Sequence, residues 1–444
     1  MRYLKKINQP ILLLLFVLFF SCQDNNDPDL LFEDVPSVRF EKKQKEVRDF
    51  LISPDNGWKM TYFTDNTLLG GFTFLFDFIN ETEVRMDSDF GNADPARISL
   101  YDLSLGSTLK LTFTTKNVIH ELSDGNNFPD NGLIGQGYKG SFEFLFSSFQ
   151  GEDIIFRSNR DPSNFIRFTR ATADDWLSLT TSNKIMLGNL PDDLSKSVFR
   201  SMVIENEGAE TKAYSFSYNE NRRFVSTLTN NESGLLEPLN YGIAPTPLGF
   251  KANPAIKVGT VAVEDFIYDA INDAFVGQNQ GVKITISYLG TPAIPLKGQE
   301  ILSDFLILHN PFLNSLEDDW MPDFTNENFN QLITNMNAAA FFDVTRIDLY
   351  NLETDTGILF ITSSFGNAAY TMSKEIKDDK MYLSLLSTTA PQFFSDAIQP
   401  LLDVVLDSNG LFVDRPSTLN AFANNVFTFV PASNTTIRFS AVEL

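Results

Sequence analysis

Between Trp58 and Arg170 apolar and polar residues alternate with a period of two, the mark of strands that bury one face. Phe72-Thr73-Phe74-Leu75-Phe76-Asp77-Phe78 puts four phenylalanines on one side. Leu109, Leu111 and Phe113 alternate with Lys110, Thr112 and Thr114. Phe142, Phe144 and Phe146 alternate with Glu143 and Leu145, and Ile166 and Phe168 with Arg167 and Thr169. Such stretches predict antiparallel strands with one core face. Gly70-Gly71, Asp124-Gly125, Asn131-Gly132 and Gly135-Gln136-Gly137 punctuate them, as expected of hairpin turns and loops that need positive φ. Residues 57–170 are thus expected to form one meander closing into a barrel or sandwich.

A helix is predicted before this meander. Ser37 is its expected cap, Phe40, Val47, Phe50 and Leu51 form its apolar stripe, and Pro54 and Gly57 stop it. From Ala171 to Asp193 the alternation lapses, which marks a domain boundary. Strands resume at Tyr214, Phe216 and Tyr218; at Ile358 and Phe360; at Met381, Leu383 and Leu385; at Phe427 and Phe429; and at Ile437 and Phe439. Two helices interrupt them. Phe329, Leu332, Ile333 and Met336 have helical spacing, as do Phe394, Ala397, Ile398, Leu401, Leu402 and Val405, with Pro400 as a kink. The expected fold is mainly β, a β-rich α+β chain with two antiparallel strand-rich domains. Residues 37–172 make the first, with one flanking helix; residues 190–444 make the second, with two or more helices. The two could be copies of one plan.

The first 21 residues have a different character. Arg2, Lys5 and Lys6 precede an unbroken apolar run, Ile11 to Phe20. That run is about half the roughly 20 residues a spanning helix needs, so it fits the core of a signal peptide covering residues 1–21. Ser21-Cys22 follows, and Cys22 is the only cysteine among 444 residues. A lone cysteine directly after such a core is where a bacterial lipoprotein is cut and acylated, by palmitate-type chains that hold it on a membrane. Residues 22–36, beginning Gln23-Asp24-Asn25-Asn26-Asp27-Pro28-Asp29, are too polar to fold and are expected to be a solvated tether. The acidic stretch after Cys22 is similar to the export signal of surface lipoproteins. The expected address is therefore the outer membrane, lipid-anchored and exposed at the cell surface.

The net charge of −23 disfavours nucleic acid and anionic lipid surfaces as partners. With Cys22 committed to lipid no disulfide can form, so stability must come from a core that includes many of the 42 phenylalanines. No catalytic signature emerges, and the chain is read as a non-enzyme. The only histidines, His120 and His309, are far apart. His120-Glu121 begins like a zinc-protease helix, but Asp124 stands where the second histidine belongs and the segment ends a strand. No metal site, cofactor or catalytic residue is assigned, and His120 is expected to pack and hydrogen-bond locally. Two acidic loops, Asp87-Ser88-Asp89 with Asn92 and Asp94, and Asp124 with Asn126, Asn127 and Asp130, fall short of the twelve-residue calcium loop and suit turn chemistry. Trp58, Trp176 and Trp320 are candidates for stacking on sugars, with Trp58 assigned to the core.

Asn56-Gly57-Trp58-Lys59, Gly70-Gly71-Phe72-Thr73-Phe74, Leu111 to Asn117, Ile119 to Asp124 and Gly137-Tyr138-Lys139-Gly140-Ser141-Phe142-Glu143-Phe144 occur in an order that resembles a Bacteroidetes lipoprotein family, the domain of unknown function 4302. The resemblance covers roughly the first 170 residues. It departs from the family at Lys139, where glycine is usual, and at Ser141, where aspartate is. The resemblance implies association with SusC- and SusD-like outer-membrane importers and zinc-peptidase lipoproteins, and no catalytic residue. Three functions stay open: a binding or accessory component of a glycan or peptide uptake system, a carboxylate-dependent hydrolase of polymeric nutrients, and a surface scaffold or adhesin.

Overall fold

The computed structural model describes residues 35–91, 96–230, 236–294, 304–308, 325–418 and 424–444. Cys22, the signal segment, the tether up to residue 34, His309, Trp320, Asn92 and Asp94 lie outside the described residues.

The chain is mainly β and antiparallel throughout, as the period-two pattern predicts. The strand-rich stretch after residue 190 carries two sheets, so three stand in succession. The first is a closed barrel of eight strands, from Trp58–Phe63 to Phe165–Arg170, joined where Met60 pairs with Phe168. The second has nine strands between Phe199–Asn206 and Val282–Leu289. Pairing of Lys212–Asn219 with Phe224–Asn230, and of Met202 with Ile286, makes a continuous ring of eight, with Leu236–Pro238 added outside it. The third is again a closed eight-stranded barrel, from Phe305–Leu308 to Phe439–Glu443, joined where Leu306 pairs with Val442.

Phenylalanine fills the first barrel. Phe76 stacks on Phe113 at 5.1 Å and on Phe168 at 5.2 Å between ring centroids, and Phe74, Phe144 and Phe156 are fully buried beside them. The interior is thus a packed core and not a ligand chamber. The strand Gly71–Phe78 is buried on both faces: Leu75, on the outer one, packs against Ala171, Leu179 and Trp176. Trp58 is buried and donates its indole N–H to Leu51 O at 2.7 Å, tying the barrel to the helix Pro36–Ile52.

Several local expectations change. That helix begins with Pro36 and has no side-chain cap, so Ser37 lies inside its first turn. Proline serves there because the first turn needs no N–H from it. Gly70-Gly71 is not a positive-φ turn; Gly71 opens the strand Gly71–Phe78, and Gly70 directly before it presses against the second ring. Asn131-Gly132 sits in a 3-10 turn with Leu133, and Gly135 and Gly137 do take positive φ. His120-Glu121 belongs to the single helical turn Val118–Glu121 and not to a strand end. The segment 171–193 folds into two short helices, Ala173–Ser178 and Ser182–Gly188. In the third barrel Leu359 and Ile361 face the core, leaving Ile358 and Phe360 on the other side. Leu385 and Leu386 turn outward at a bulge opposite Thr371 and Met372. Around Pro400 the helix breaks at Ile398 into Gln392–Ala397 and Gln399–Val405.

Candidate functional site

The first barrel and the second ring touch through backbone. The Gly70 N–H donates to Arg222 O at 2.8 Å. A Cβ on Gly70 would stand 2.2 Å from Arg223 O, and one on Gly242 would stand 2.8 Å from the Gly70 Cα. Only glycine allows strands to approach this closely.

Adjacent arginines from the turn after Asn219 fasten the contact. Arg223 donates from Nη1 to Asp89 Oδ1 at 2.8 Å and to Gly71 O at 3.0 Å, and from Nη2 to Asp89 O at 2.7 Å. Asp89 Oδ1 also accepts from the Thr73 N–H at 3.0 Å. Arg222 forms a two-pronged pair with Asp130, with Nη2 to Oδ1 at 2.8 Å. This partner holds the Asp130 carboxyl below its ordinary range. Two acids from the candidate calcium loops are therefore committed to arginines. Burial, meanwhile, pushes the Asp87 carboxyl up. Among the described residues, no three or more His, Cys, Asp or Glu converge as a metal site.

Beside this seam opens a cleft of about 530 Å³. Its aromatic wall is Phe72, Phe90 and Tyr138, each packed edge-to-face on the other two at centroid distances of 4.7–5.4 Å. The Arg223 guanidinium spreads over Phe72 at 4.8 Å. Tyr218 adds a further ring from the second sheet, and burial pushes the phenols of Tyr138 and Tyr218 up, so both remain protonated at neutral pH. Leu187, Gly188 and Pro191 close the opposite side. That wall is held by buried Arg200, which donates to the carbonyls of Asn189 and Leu190 while lying over Phe216 and Tyr288. The polar rim consists of Glu121, Asn127, Glu220 and Asn221.

His120 helps place this rim. Its Nδ1 accepts from the Asn117 N–H at 3.1 Å, its Nε2 faces Phe113 O at 3.0 Å, and its ring stacks on Phe142 at 4.6 Å. The histidine fixes the turn that ends in Glu121. Asn127 Nδ2 donates to Glu121 O at 3.1 Å, which joins the second acidic loop to the same rim. Trp176 lies elsewhere, under the Arg85 guanidinium at 4.4 Å, and donates to Asn56 O.

A family model matches residues 28–270, more than half of the chain. The chain belongs to the family described as Domain of unknown function (DUF4302). The match runs past the 170 residues of the motif resemblance and takes in both walls of the cleft. No curated protein matches the sequence. Two solved structures of the Helicobacter pylori beta clamp align with it, one in complex with 5-chloroisatin and one bound to a DNA ligase peptide. They share 10% and 9% identity over 92% and 91% of this chain and 97% of each of theirs, with a TM-score of 0.15 in both cases. At that score too little backbone coincides for either to bear on this chain.

Of the residues that make the cleft, the sequence pattern pointed to Asn127, and it placed Glu121 and Tyr138 only inside motifs. It gave Tyr218 only as a strand position and missed Phe90, Glu220 and Arg223, together with Arg222 beside them. The signal present was the polar run Asn219-Glu220-Asn221-Arg222-Arg223, with adjacent arginines in a strongly acidic chain.

Proposed function

We propose that this protein is a lipid-anchored envelope component, held in the outer membrane by acylated Cys22 and displayed at the cell surface. There it serves as a non-catalytic binding or accessory subunit of a SusC/SusD-like importer of glycan or peptide. The anchor rests on the apolar run Ile11–Phe20 and the placement of Cys22. The binding role rests on one observation: a cleft with an aromatic wall, framed by a buried ion pair and glycine contacts that preorganise it. All its lining residues lie within the family match. Affinity purification from outer membranes tests the assignment. The expected result is co-purification of an importer, lost when Cys22→Ser releases the protein; recovery of no transporter from wild-type membranes would overturn it.

One observation favours a second reading, a carboxylate-dependent hydrolase: Glu121 and Glu220 face the same cleft. It requires that polymeric nutrients be shortened by the purified protein and that either Glu121→Gln or Glu220→Gln stop the shortening.

A further inference from the structure

We propose that the cleft takes an organic cation, an amine or guanidinium on an apolar stem such as the lysine or arginine side chain of a peptide. This rests on the reading of the cleft as a ligand site and names the class of ligand.

The cleft sets unpaired negative charge beside apolar walls. Arg223, the cation among the described lining residues, is already spent on Asp89, and nearby Arg222 and Lys139 are spent on Asp130 and, at 2.7 Å, on Asp65. The carboxylates of Asp89, Asp130 and Asp65 are neutralised in the same pairs. Glu121 and Glu220 are left over, with no ion pair to any described residue, so the lining carries two uncompensated negative charges. Glu121 is half-buried and its Oε2 lies against Gly91, where an added Cβ would stand only 3.3 Å away.

A neutral ligand closing over these carboxylates would strip their water and return no charge to them, whereas a cation restores the lost solvation. The rings supply the other half of the recognition. The negative faces of aromatic rings attract ammonium and guanidinium groups, and Arg223 over Phe72 shows this chain using that contact within the same wall. An aliphatic stem would pack on Phe90 and Leu187, and the amides of Asn127 and Asn221 are placed for a peptide backbone. The overall charge of −23 draws cations toward the surface before contact.

The test is calorimetric titration of the purified full chain with three probes: a blocked tripeptide with central lysine, its central-glutamine counterpart, and maltotriose. The lysine peptide is expected to bind, more weakly at high salt, and to lose about tenfold or more in affinity in the Glu121→Gln/Glu220→Gln double variant, roughly one lost ion pair. Circular dichroism of that variant should match wild type, because neither glutamate pairs with a described residue. Phe90→Ala should weaken the same binding without abolishing its salt dependence. Equal binding of the glutamine peptide, or preferential binding of maltotriose, overturns the cationic class; sensitivity of that binding to Phe90→Ala keeps the cleft as the site. If no probe binds, the cationic class and the cleft reading fall together.

Discussion

Asp89 and Arg223, 134 positions apart in the chain, meet at 2.8 Å with side-chain exposures of 0% and 7%. The pair joins the first barrel to the second ring and forms the back of the cleft between them. A buried ion pair contributes little net stability against an apolar replacement of both partners, but removing one partner strands a charge. Its value here lies in fixing one arrangement of two sheets.

Arg223→Met should therefore cost about 3–5 kcal/mol, because it leaves Asp89 buried and uncompensated. The Asp89→Leu/Arg223→Met double variant should recover much of that loss. Urea unfolding of the three proteins checks the order, and a single variant as stable as wild type would show that the pair is not buried.

Gly70→Ala should destabilise the junction more than either barrel alone. The new methyl would meet two carbonyl oxygens, Arg223 O at 2.2 Å and Ile243 O at 2.5 Å, and backbone cannot move aside as a flexible side chain can. A loss of about 1–3 kcal/mol is expected from such overpacking. Limited proteolysis should show faster cleavage between residues 171 and 198, with the first barrel surviving as a fragment.

Lys139 occupies the left-handed region at φ 54° and donates to Asp65 at 2.7 Å. Lys139→Ala loses the ion pair and keeps the strain, whereas Lys139→Gly loses the pair and relieves it. The glycine variant should be more stable than the alanine variant by about 1 kcal/mol. Equal thermal midpoints would contradict the backbone assignment at this turn.

The Arg222 hydrogen bonds hold the Asp130 carboxyl below its ordinary value of 3.8. A carboxylate depressed in the folded state stabilises the fold above its unfolded pKa, and that contribution disappears as pH falls through the folded pKa. Wild type should accordingly lose stability on acidification between about pH 5 and pH 2, and Asp130→Asn should lose less over the same window. Urea midpoints measured across it decide the point; parallel curves would mean that the pair does not form.

The strands of the first barrel were legible because Phe72, Phe74, Phe76 and Phe78 recur with a period of two and point into one core. The same signal could not separate the second and third rings, since alternation looks alike in any antiparallel sheet. Closure depends on distant pairs such as Met202 with Ile286. In the sequence Gly70-Gly71 reads as a turn, because glycine permits both positive φ and close approach, and only the partner strand reveals which is used. The cleft was least legible of all: Phe90 and Tyr138 come from loops of one sheet, Tyr218 and Glu220 from the next. Periodicity reports which face a residue takes, not which residue of another ring it will meet.

The central claim is that the cleft between the first two rings retains a ligand without altering it. Its most direct test is mass spectrometry of the small molecules kept by the purified protein after exposure to a mixture of peptides and oligosaccharides, beside a Phe90→Ala/Glu220→Gln variant treated identically. Retention by wild type of compounds of unchanged mass, lost in the variant, is the predicted result. Equal retention by both proteins, or recovery of shortened products made only by wild type, would contradict it.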